Sequence, residues 1–162
     1  MKLRIILYSI IIAVIFATTA TISAEKKMPP PNANKVWNYM TEIEPYSDWE
    51  HFPGHPGLLE GSSPHGSYVK IFANDPAIKA IENNEKLPPT SLIVKENYAK
   101  DKKTLESITP MYKVKGYNPE KGDWFWVKYS PKGKPLAEGK VKGCINCHKS
   151  QQENDWIFHG AH

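Results

Sequence analysis

Hydrophobic and polar residues alternate along several stretches in the middle of the chain, and this alternation predicts β-strands. In the clearest case, Val69 and Ile71 point to one face of a strand and Tyr68 and Lys70 to the other. Four strands are predicted in this way, over residues 67–73, 91–98, 105–117 and 124–129. Because proline has no N–H to donate to a neighbouring strand, we expect Pro110 to break the register of the third strand.

Two other stretches carry apolar residues at helical spacing. The first can be capped by Asn32 or Asn34 and ends near Glu44, with apolar positions at Val36, Trp37, Met40 and Ile43. The second is capped by Asp75 and runs over residues 76–83, with proline at its first helical position. Both are predicted to be short helices beside the sheet.

The predicted elements together indicate an α+β fold, mainly an antiparallel β-sheet with short flanking helices. Fourteen prolines and ten glycines among 162 residues indicate many turns, and the stretch over 45–64 is predicted to be loop. The length fits one domain, and the chain contains no internal repeat.

The first 24 residues have the three-part pattern of a secretory signal peptide. Lys2 and Arg4 precede an apolar run over residues 5–17, and small and hydroxyl residues follow up to Ala24. We therefore expect cleavage after Ala24 and a periplasmic protein. The alternative is an uncleaved N-terminal helix that anchors the protein to the membrane, because the apolar run is nearly long enough to span a bilayer.

Cleavage would leave a Pro-rich tether over residues 25–32 and a single domain over residues 33–162. It would also lower the formal net charge from +4 to +2, because it removes two basic residues and no acidic one. Arg4 is the only arginine, so the mature chain would lack the guanidinium groups with which proteins usually bind phosphates and base edges. The sequence therefore argues against a nucleic-acid partner.

A C-x-x-C-H motif near the C-terminus is formed by Cys144, Cys147 and His148. This is the attachment signature of haem c. Two thiols three positions apart lie on one side of a helical turn, so both can reach the vinyl groups of one porphyrin. The residue that follows can then coordinate the iron. We predict one covalently attached haem c on a C-terminal attachment helix, with His148 as the axial ligand.

Other uses of the cysteine pair fit this sequence less well. A thioredoxin-like redox pair needs no histidine after it, and a zinc site would need more ligands at matching spacing. A short-loop disulfide remains open in an exported chain. The chain has two cysteines in all, however, and this is the number that one haem c requires.

The late position of the motif distinguishes this chain from most small cytochromes c, in which the motif lies near the N-terminus of a mostly helical fold. In those proteins a methionine ligand follows the motif, whereas no methionine follows it here. The sixth iron position is left open between Met111, a histidine and no protein ligand. His159 and His162 are interpreted as solvent-exposed residues of the tail.

Several segments, in order, resemble the cytochrome P-460 family, which includes cytochrome c′-beta. The similarity covers most of the mature chain. The matching segments are Trp49 to Pro53, Pro64 to Gly66 with the strand Tyr68 to Asn74, Ile93 to Tyr98, Gly122 to Trp126, Gly143 to His148 and Asn154 to Phe158.

The resemblance implies a mainly antiparallel β fold, a homodimer and a mostly five-coordinate haem that His148 alone ligates from the protein. The open side would take hydroxylamine or nitric oxide, and a partner cytochrome would take the electrons. In the P-460 enzymes a lysine is bonded to the porphyrin and hydroxylamine is oxidised. Cytochrome c′-beta lacks that bond and binds nitric oxide under aromatic side chains. The resemblance thus leaves open an enzyme or a gas-binding module, and a simple electron-transfer cytochrome c is the third possibility.

Lys95 matches the position of the lysine that is bonded to the porphyrin. It is also unusual as a residue, because Ile93 and Lys95 share one face of their strand while Leu92 and Val94 share the other. Apolar residues on both faces indicate a buried strand, in which an unpaired lysine is costly. The alternatives are a lysine that extends to solvent, an unbonded pocket lysine and a lysine bonded to haem.

The remaining candidates carry less information. Enzymes of the family use a distal carboxylate, but Glu96 should point away from Lys95, and Glu106 has no clear counterpart. His65, in the matched Pro-His-Gly turn, is interpreted as making a structural hydrogen bond. Five further residues are candidates for either the core or the pocket: Phe72, Met111, Tyr112, Phe125 and Trp126.

Overall fold

A seven-stranded antiparallel sheet forms the centre of the computed structural model, which describes residues 27–158. The strand order is β1-β3-β4-β5-β6-β7, and β2 also pairs with β3. The strands are β1 Glu50–His51, β2 Leu59–Glu60, β3 Tyr68–Ala73, β4 Leu92–Tyr98, β5 Leu105–Lys113, β6 Trp124–Tyr129 and β7 Pro135–Gly139. The predicted signal peptide, the start of the tether, and His159 and His162 lie outside the described residues.

The predicted α+β fold is confirmed, and the four predicted strands correspond to β3, β4, β5 and β6. Three strands were not predicted. β1 and β2 lie in the stretch expected to be loop, together with a 3-10 helix over Tyr46–Asp48, and two residues are too few to show alternation. β7 starts at a proline and ends at a glycine, residues that ordinarily indicate turns.

The expected break in register at Pro110 is wrong. Val94 pairs with Pro110, and the pairing of β4 with β5 keeps one register from Leu92 to Asn97, shifting only between Asn97 and Tyr98. On the other side, pairing with β6 skips Thr109 and Pro110 and then resumes in the same register. The missing N–H of Pro110 therefore interrupts the pairing with β6 locally, but it does not change the register of β5. The strand also ends at Lys113 rather than at residue 117.

The first helix, α1, spans Ala33–Asn38 and continues as a π-helix over Tyr39–Ile43. Asn32 caps it, because its side chain accepts a hydrogen bond from the Lys35 N–H at 3.2 Å. Ile43 was expected on the buried face, but 48% of its surface is exposed. The wider π turn moves the last residues off the helical spacing on which that expectation rested.

The second helix, α2, spans Asp75–Glu82, and its N-cap is Asn74 rather than the predicted Asp75. The Asn74 side chain does not cap the helix. It donates to the Thr90 carbonyl at 2.9 Å and accepts from the Leu92 N–H at 3.0 Å, so it joins the helix start to β4.

The chain ends with α3, Lys142–His148, and a 3-10 helix over Lys149–Asn154. A further 3-10 turn, Pro119–Lys121, precedes β6. No helix within residues 27–158 is both long enough and apolar enough to cross a membrane.

Each face of the sheet has its own hydrophobic core. α1 packs on one face, over Leu92 and Val94 of β4 and over Phe125 and Val127 of β6. The second core lies on the opposite face and includes α2, Ile93 of β4, both tryptophans of β6, and the C-terminal residues Trp156 and Ile157. Because consecutive side chains of β4 point to opposite faces of the sheet, Lys95 lies on the same side of the sheet as α3.

A tight turn before β3 lies directly against the backbone of β4. A Cβ atom added at Gly66 would come within 2.5 Å of both the N and the O atoms of Tyr98. Because both neighbours are backbone atoms, the turn cannot accept a side chain here without moving.

We expect Gly66→Ala to lower the free energy of unfolding by about 3 kcal/mol, because the new methyl group would overlap the β4 backbone. Gly54→Ala is the control: its Cβ would meet nothing within 4 Å, although its φ is +78°. That variant should lose only about 1 kcal/mol through backbone strain. Urea unfolding measures both, and equal losses would contradict the close packing at Gly66.

Candidate functional site

Helix α3 brings both cysteines and the neighbouring histidine to one cavity of about 290 Å³. Cys144, Cys147 and His148 line one side of it, and neither cysteine is in a disulfide. The opposite wall is made by β4, β5 and β6, mainly through the apolar side chains Ile93, Met111 and Trp126. The cavity therefore lies between the sheet and the C-terminal helix.

The His148 imidazole is buried, and one of its two nitrogens is already bound. Its Nδ1 lies 2.7 Å from the carbonyl oxygen of Trp156, to which it donates. Burial lowers the pKa of His148 below its ordinary value, so the ring is neutral and its Nε2 keeps a free lone pair. A histidine whose Nδ1–H is held by a backbone carbonyl is arranged as a metal ligand through Nε2.

The Trp156 carbonyl is in turn fixed by its neighbour Asp155, which adopts a left-handed conformation with φ of 52°. The Asp155 carboxylate accepts a hydrogen bond from the Leu87 N–H at 2.9 Å and forms an ion pair with the Lys113 ammonium group. Its carbonyl accepts a hydrogen bond from the Trp124 indole N–H at 2.9 Å. Residues 155–156 are therefore attached to the sheet, and they orient His148.

Aromatic rings enclose the rest of the His148 imidazole. The Trp126 ring lies edge-on with its centroid at 4.6 Å, and the Phe158 ring is at 5.0 Å. Trp126 is 4% exposed, and its indole Nε1 has no hydrogen-bond partner among the described residues. A buried donor beside a cavity indicates a place for an acceptor that residues 27–158 do not supply.

This set of groups fits a covalently bound haem. Two thiols three positions apart and a neutral imidazole nitrogen line the same largely apolar cavity. Burial raises the pKa of the Cys144 thiol above its usual range, so the thiol is protonated near neutral pH. The sequence expectation for these three residues depended on spacing alone, and the structure places them in one wall.

Lys95 projects into this cavity from the sheet. Its neighbours Leu92 and Val94 pack in the opposite core, as the alternation on β4 predicts. Burial lowers the pKa of the Lys95 amine below its ordinary value. The lysine therefore faces the cysteines across the cavity with an amine that is more easily deprotonated than a surface lysine.

The sequence interpretation gave His65 a hydrogen bond, and the structure also places the residue in the cavity lining. Its Nδ1 lies 3.0 Å from the side-chain oxygen of Asn97. Burial is the main reason why the pKa of His65 is lowered to about 4, and the charge of Lys95 adds to it. From the sequence, the Pro-His-Gly turn indicates that His65 is conformationally restricted. It does not indicate that His65 lines a cavity.

Apart from the two cysteines and His148, the polar side chains of the lining are His65, Lys95, Thr109 and Lys128, and no carboxylate of the described residues contributes to it. Glu96 is on the far face, where it accepts hydrogen bonds from the hydroxyls of Tyr46 and Tyr98.

The five residues that could belong to the core or the pocket divide between the two. Met111 and Trp126 line the cavity. Tyr112 and Phe125 belong to the core on the far face of the sheet, and Phe72 packs against the rings of Tyr46 and His51. The positioning roles of Asp155 and Trp156 were not predicted from the sequence. Their carbonyl oxygens make the decisive hydrogen bonds, and every residue type has a carbonyl oxygen.

The sequence model of the family described as Cytochrome P460 matches residues 43–159. No curated protein matches the chain.

The state of His65 can be tested through pH. In the unfolded chain its pKa is the ordinary 6.5, against about 4 in the fold. Between these values the unfolded chain binds a proton that the folded chain does not, so this contribution to stability is complete above about pH 6.5 and is lost as the pH falls toward 4. We expect the urea midpoint to fall across this window, and to fall less steeply in His65→Gln. Equal slopes would show that His65 is not held neutral.

Proposed function

Because the chain belongs to the cytochrome P460 family, we propose that it carries one haem c and binds or oxidises small nitrogen compounds such as hydroxylamine and nitric oxide. The family implies a haem cofactor. We assign its thioether bonds to Cys144 and Cys147 and its axial ligation to His148. The observation that carries the proposal is the convergence of these three side chains and Lys95 on one cavity.

A bound haem iron supplies a centre that binds nitrogen ligands and exchanges single electrons. The chain contributes the surroundings of that centre. His148 offers a neutral Nε2 whose direction is set by the Trp156 carbonyl, and Ile93, Met111 and Trp126 restrict water. Lys95 and His65 add polar groups to the same cavity.

A simple electron-transfer cytochrome is the second candidate, and the position of Met111 favours it. Met111 lines the cavity, whereas Met28 and Met40 pack in the core on the far face of the sheet. Met111 is therefore the methionine of the described residues that is placed to act as a sixth ligand.

We further propose that the protein is periplasmic, that it forms a homodimer and that a partner cytochrome accepts its electrons. These proposals depend on the export signal in residues 1–24 and on the family resemblance. An uncleaved N-terminal helix would instead attach the same domain to the membrane.

We expect wild-type protein, co-expressed with haem-attachment machinery, to retain one haem per chain after acid-acetone extraction. Its resting optical spectrum should be five-coordinate and high-spin, and hydroxylamine and nitric oxide should each change it. A six-coordinate, low-spin spectrum that becomes five-coordinate in Met111→Leu would instead identify the electron-transfer protein.

The matched controls lie in the same motif. Replacing both cysteines, Cys144→Ser with Cys147→Ser, should leave no haem on the extracted chain, whereas Asn146→Ser should load normally because Asn146 does not line the cavity. Complete extraction of haem from the wild type would contradict covalent attachment.

We assign Lys95 as the lysine that is bonded to the porphyrin edge. The cavity position and the lowered pKa of its amine support this, because an uncharged amine is the nucleophilic form. Forming the bond removes one hydrogen from the amine and one from the porphyrin carbon, so it needs a two-electron oxidant such as hydrogen peroxide, which takes up both. We expect the intact mass of the loaded wild type, after exposure to peroxide, to fall short of chain plus haem by these hydrogens, and Lys95→Met to restore the full mass.

Lys128→Met is the control for this assignment, because Lys128 also lines the cavity. It should keep the mass deficit and the wild-type spectrum. A wild type of full mass, or a deficit that survives in Lys95→Met, would show that Lys95 is not bonded to the haem.

A further inference from the structure

We propose that His65 is a specificity-determining residue whose Nε2 accepts a hydrogen bond from an N–H or O–H group of the ligand bound in the cavity. It would thereby favour protic ligands such as hydroxylamine over aprotic ones such as carbon monoxide and nitric oxide. This inference rests on the proposed function.

The tautomer of His65 is set by a buried amide. Asn97 is 1% exposed, and its Nδ2 faces three oxygens: the Ser107 carbonyl at 3.1 Å, the Thr109 hydroxyl at 3.1 Å and the Lys95 carbonyl at 3.3 Å. The amide oxygen is therefore the atom that faces His65, and it accepts from Nδ1–H at 3.0 Å. With the proton on Nδ1, the Nε2 atom carries a lone pair.

The turn around His65 holds the ring in place. The His65 N–H donates to the Ser62 carbonyl at 2.9 Å, and Gly61 N–H donates to the Ser67 carbonyl at 2.9 Å. Gly66 lies so close to Tyr98 that a Cβ atom would overlap its backbone. Hydrogen bonds thus hold both the backbone of His65 and the Nδ1 atom of its ring. An acceptor that recognises a ligand needs to be held in place in this way.

The other polar groups of the lining do not duplicate this acceptor. Lys128 is a donor when charged, Lys95 is assigned to the porphyrin edge, and His148 already uses Nδ1 and is assigned to the iron through Nε2. The Thr109 hydroxyl already accepts from the Asn97 amide at 3.1 Å and donates to the Lys95 carbonyl at 3.4 Å. Since no carboxylate of the described residues lines the cavity, Nε2 of His65 is a neutral acceptor in a site that otherwise holds mainly donors.

The chemistry of the ligands makes the inference specific. Hydroxylamine carries N–H and O–H groups that can donate to Nε2, whereas carbon monoxide and nitric oxide carry none. A single neutral hydrogen bond changes affinity by about five- to tenfold. Loss of the acceptor should therefore weaken one class of ligand and leave the other unchanged.

The experiment compares haem-loaded wild type with His65→Leu and His65→Gln. Hydroxylamine affinity is measured on the ferric protein, from the size of the first optical change after mixing as a function of hydroxylamine concentration. Carbon monoxide affinity is measured by titrating the ferrous protein. His55→Leu is the control, because His55 also directs its Nδ1 at a carbonyl, that of Pro53, but does not line the cavity.

We expect His65→Leu to weaken hydroxylamine binding about five- to tenfold and to leave carbon monoxide binding within twofold of wild type. His65→Gln, whose amide oxygen can accept, should recover part of the loss, and His55→Leu should match wild type. Equal effects on both ligands, or none on either, overturn the inference while the proposed function stands. Wild type that binds nitric oxide but not hydroxylamine overturns the inference alone, whereas wild type that binds neither overturns both.

Discussion

The hydrogen bond from the His148 imidazole to the Trp156 carbonyl is the interaction on which the site depends. A helix of seven residues could carry two cysteines and a histidine in many orientations. The bond selects one orientation, because it fixes which nitrogen bears the proton and which one faces the cavity. It acts only because Asp155 is held by Lys113 of β5 and by the Leu87 N–H. The sheet thus sets the orientation of His148 through the segment after the helix.

The same sheet separates structural and chemical roles by the direction of its side chains. On β4, Leu92 and Val94 complete the core under α1, while Ile93 and Lys95 face α3. On β6, Trp126 likewise faces the cavity, while its neighbours Phe125 and Val127 pack in the core under α1. A residue can therefore enter the cavity without disturbing the core on the far face, because consecutive positions belong to different compartments. This arrangement allows a lysine, and an indole N–H with no hydrogen-bond partner in the described part of the chain, in the middle of an otherwise well-packed sheet.

Much of this could be predicted from the sequence, for reasons specific to each element. β6 was predicted to the residue because its aromatic run is bounded by turns, and the face of Lys95 followed from strand periodicity. β1, β2 and β7 were missed because they are too short, or too rich in Pro and Gly, to show a pattern. The cavity position of His65 depends on pairing between distant strands, and the role of Trp156 depends on a backbone atom. The identity of the residue alone predicts neither the cavity position of His65 nor the role of Trp156.

The ring of Phe158 has a consequence for electron exchange. It touches the His148 imidazole, with the two centroids 5.0 Å apart, and 49% of its surface is exposed. The His148 imidazole is therefore separated from the outside by one aromatic ring, although the residue itself is 8% exposed. A protein that docks over Phe158 would come within one side chain of this imidazole. If His148 holds a redox cofactor, as proposed above, Phe158 offers a partner an approach to it that does not pass through the cavity.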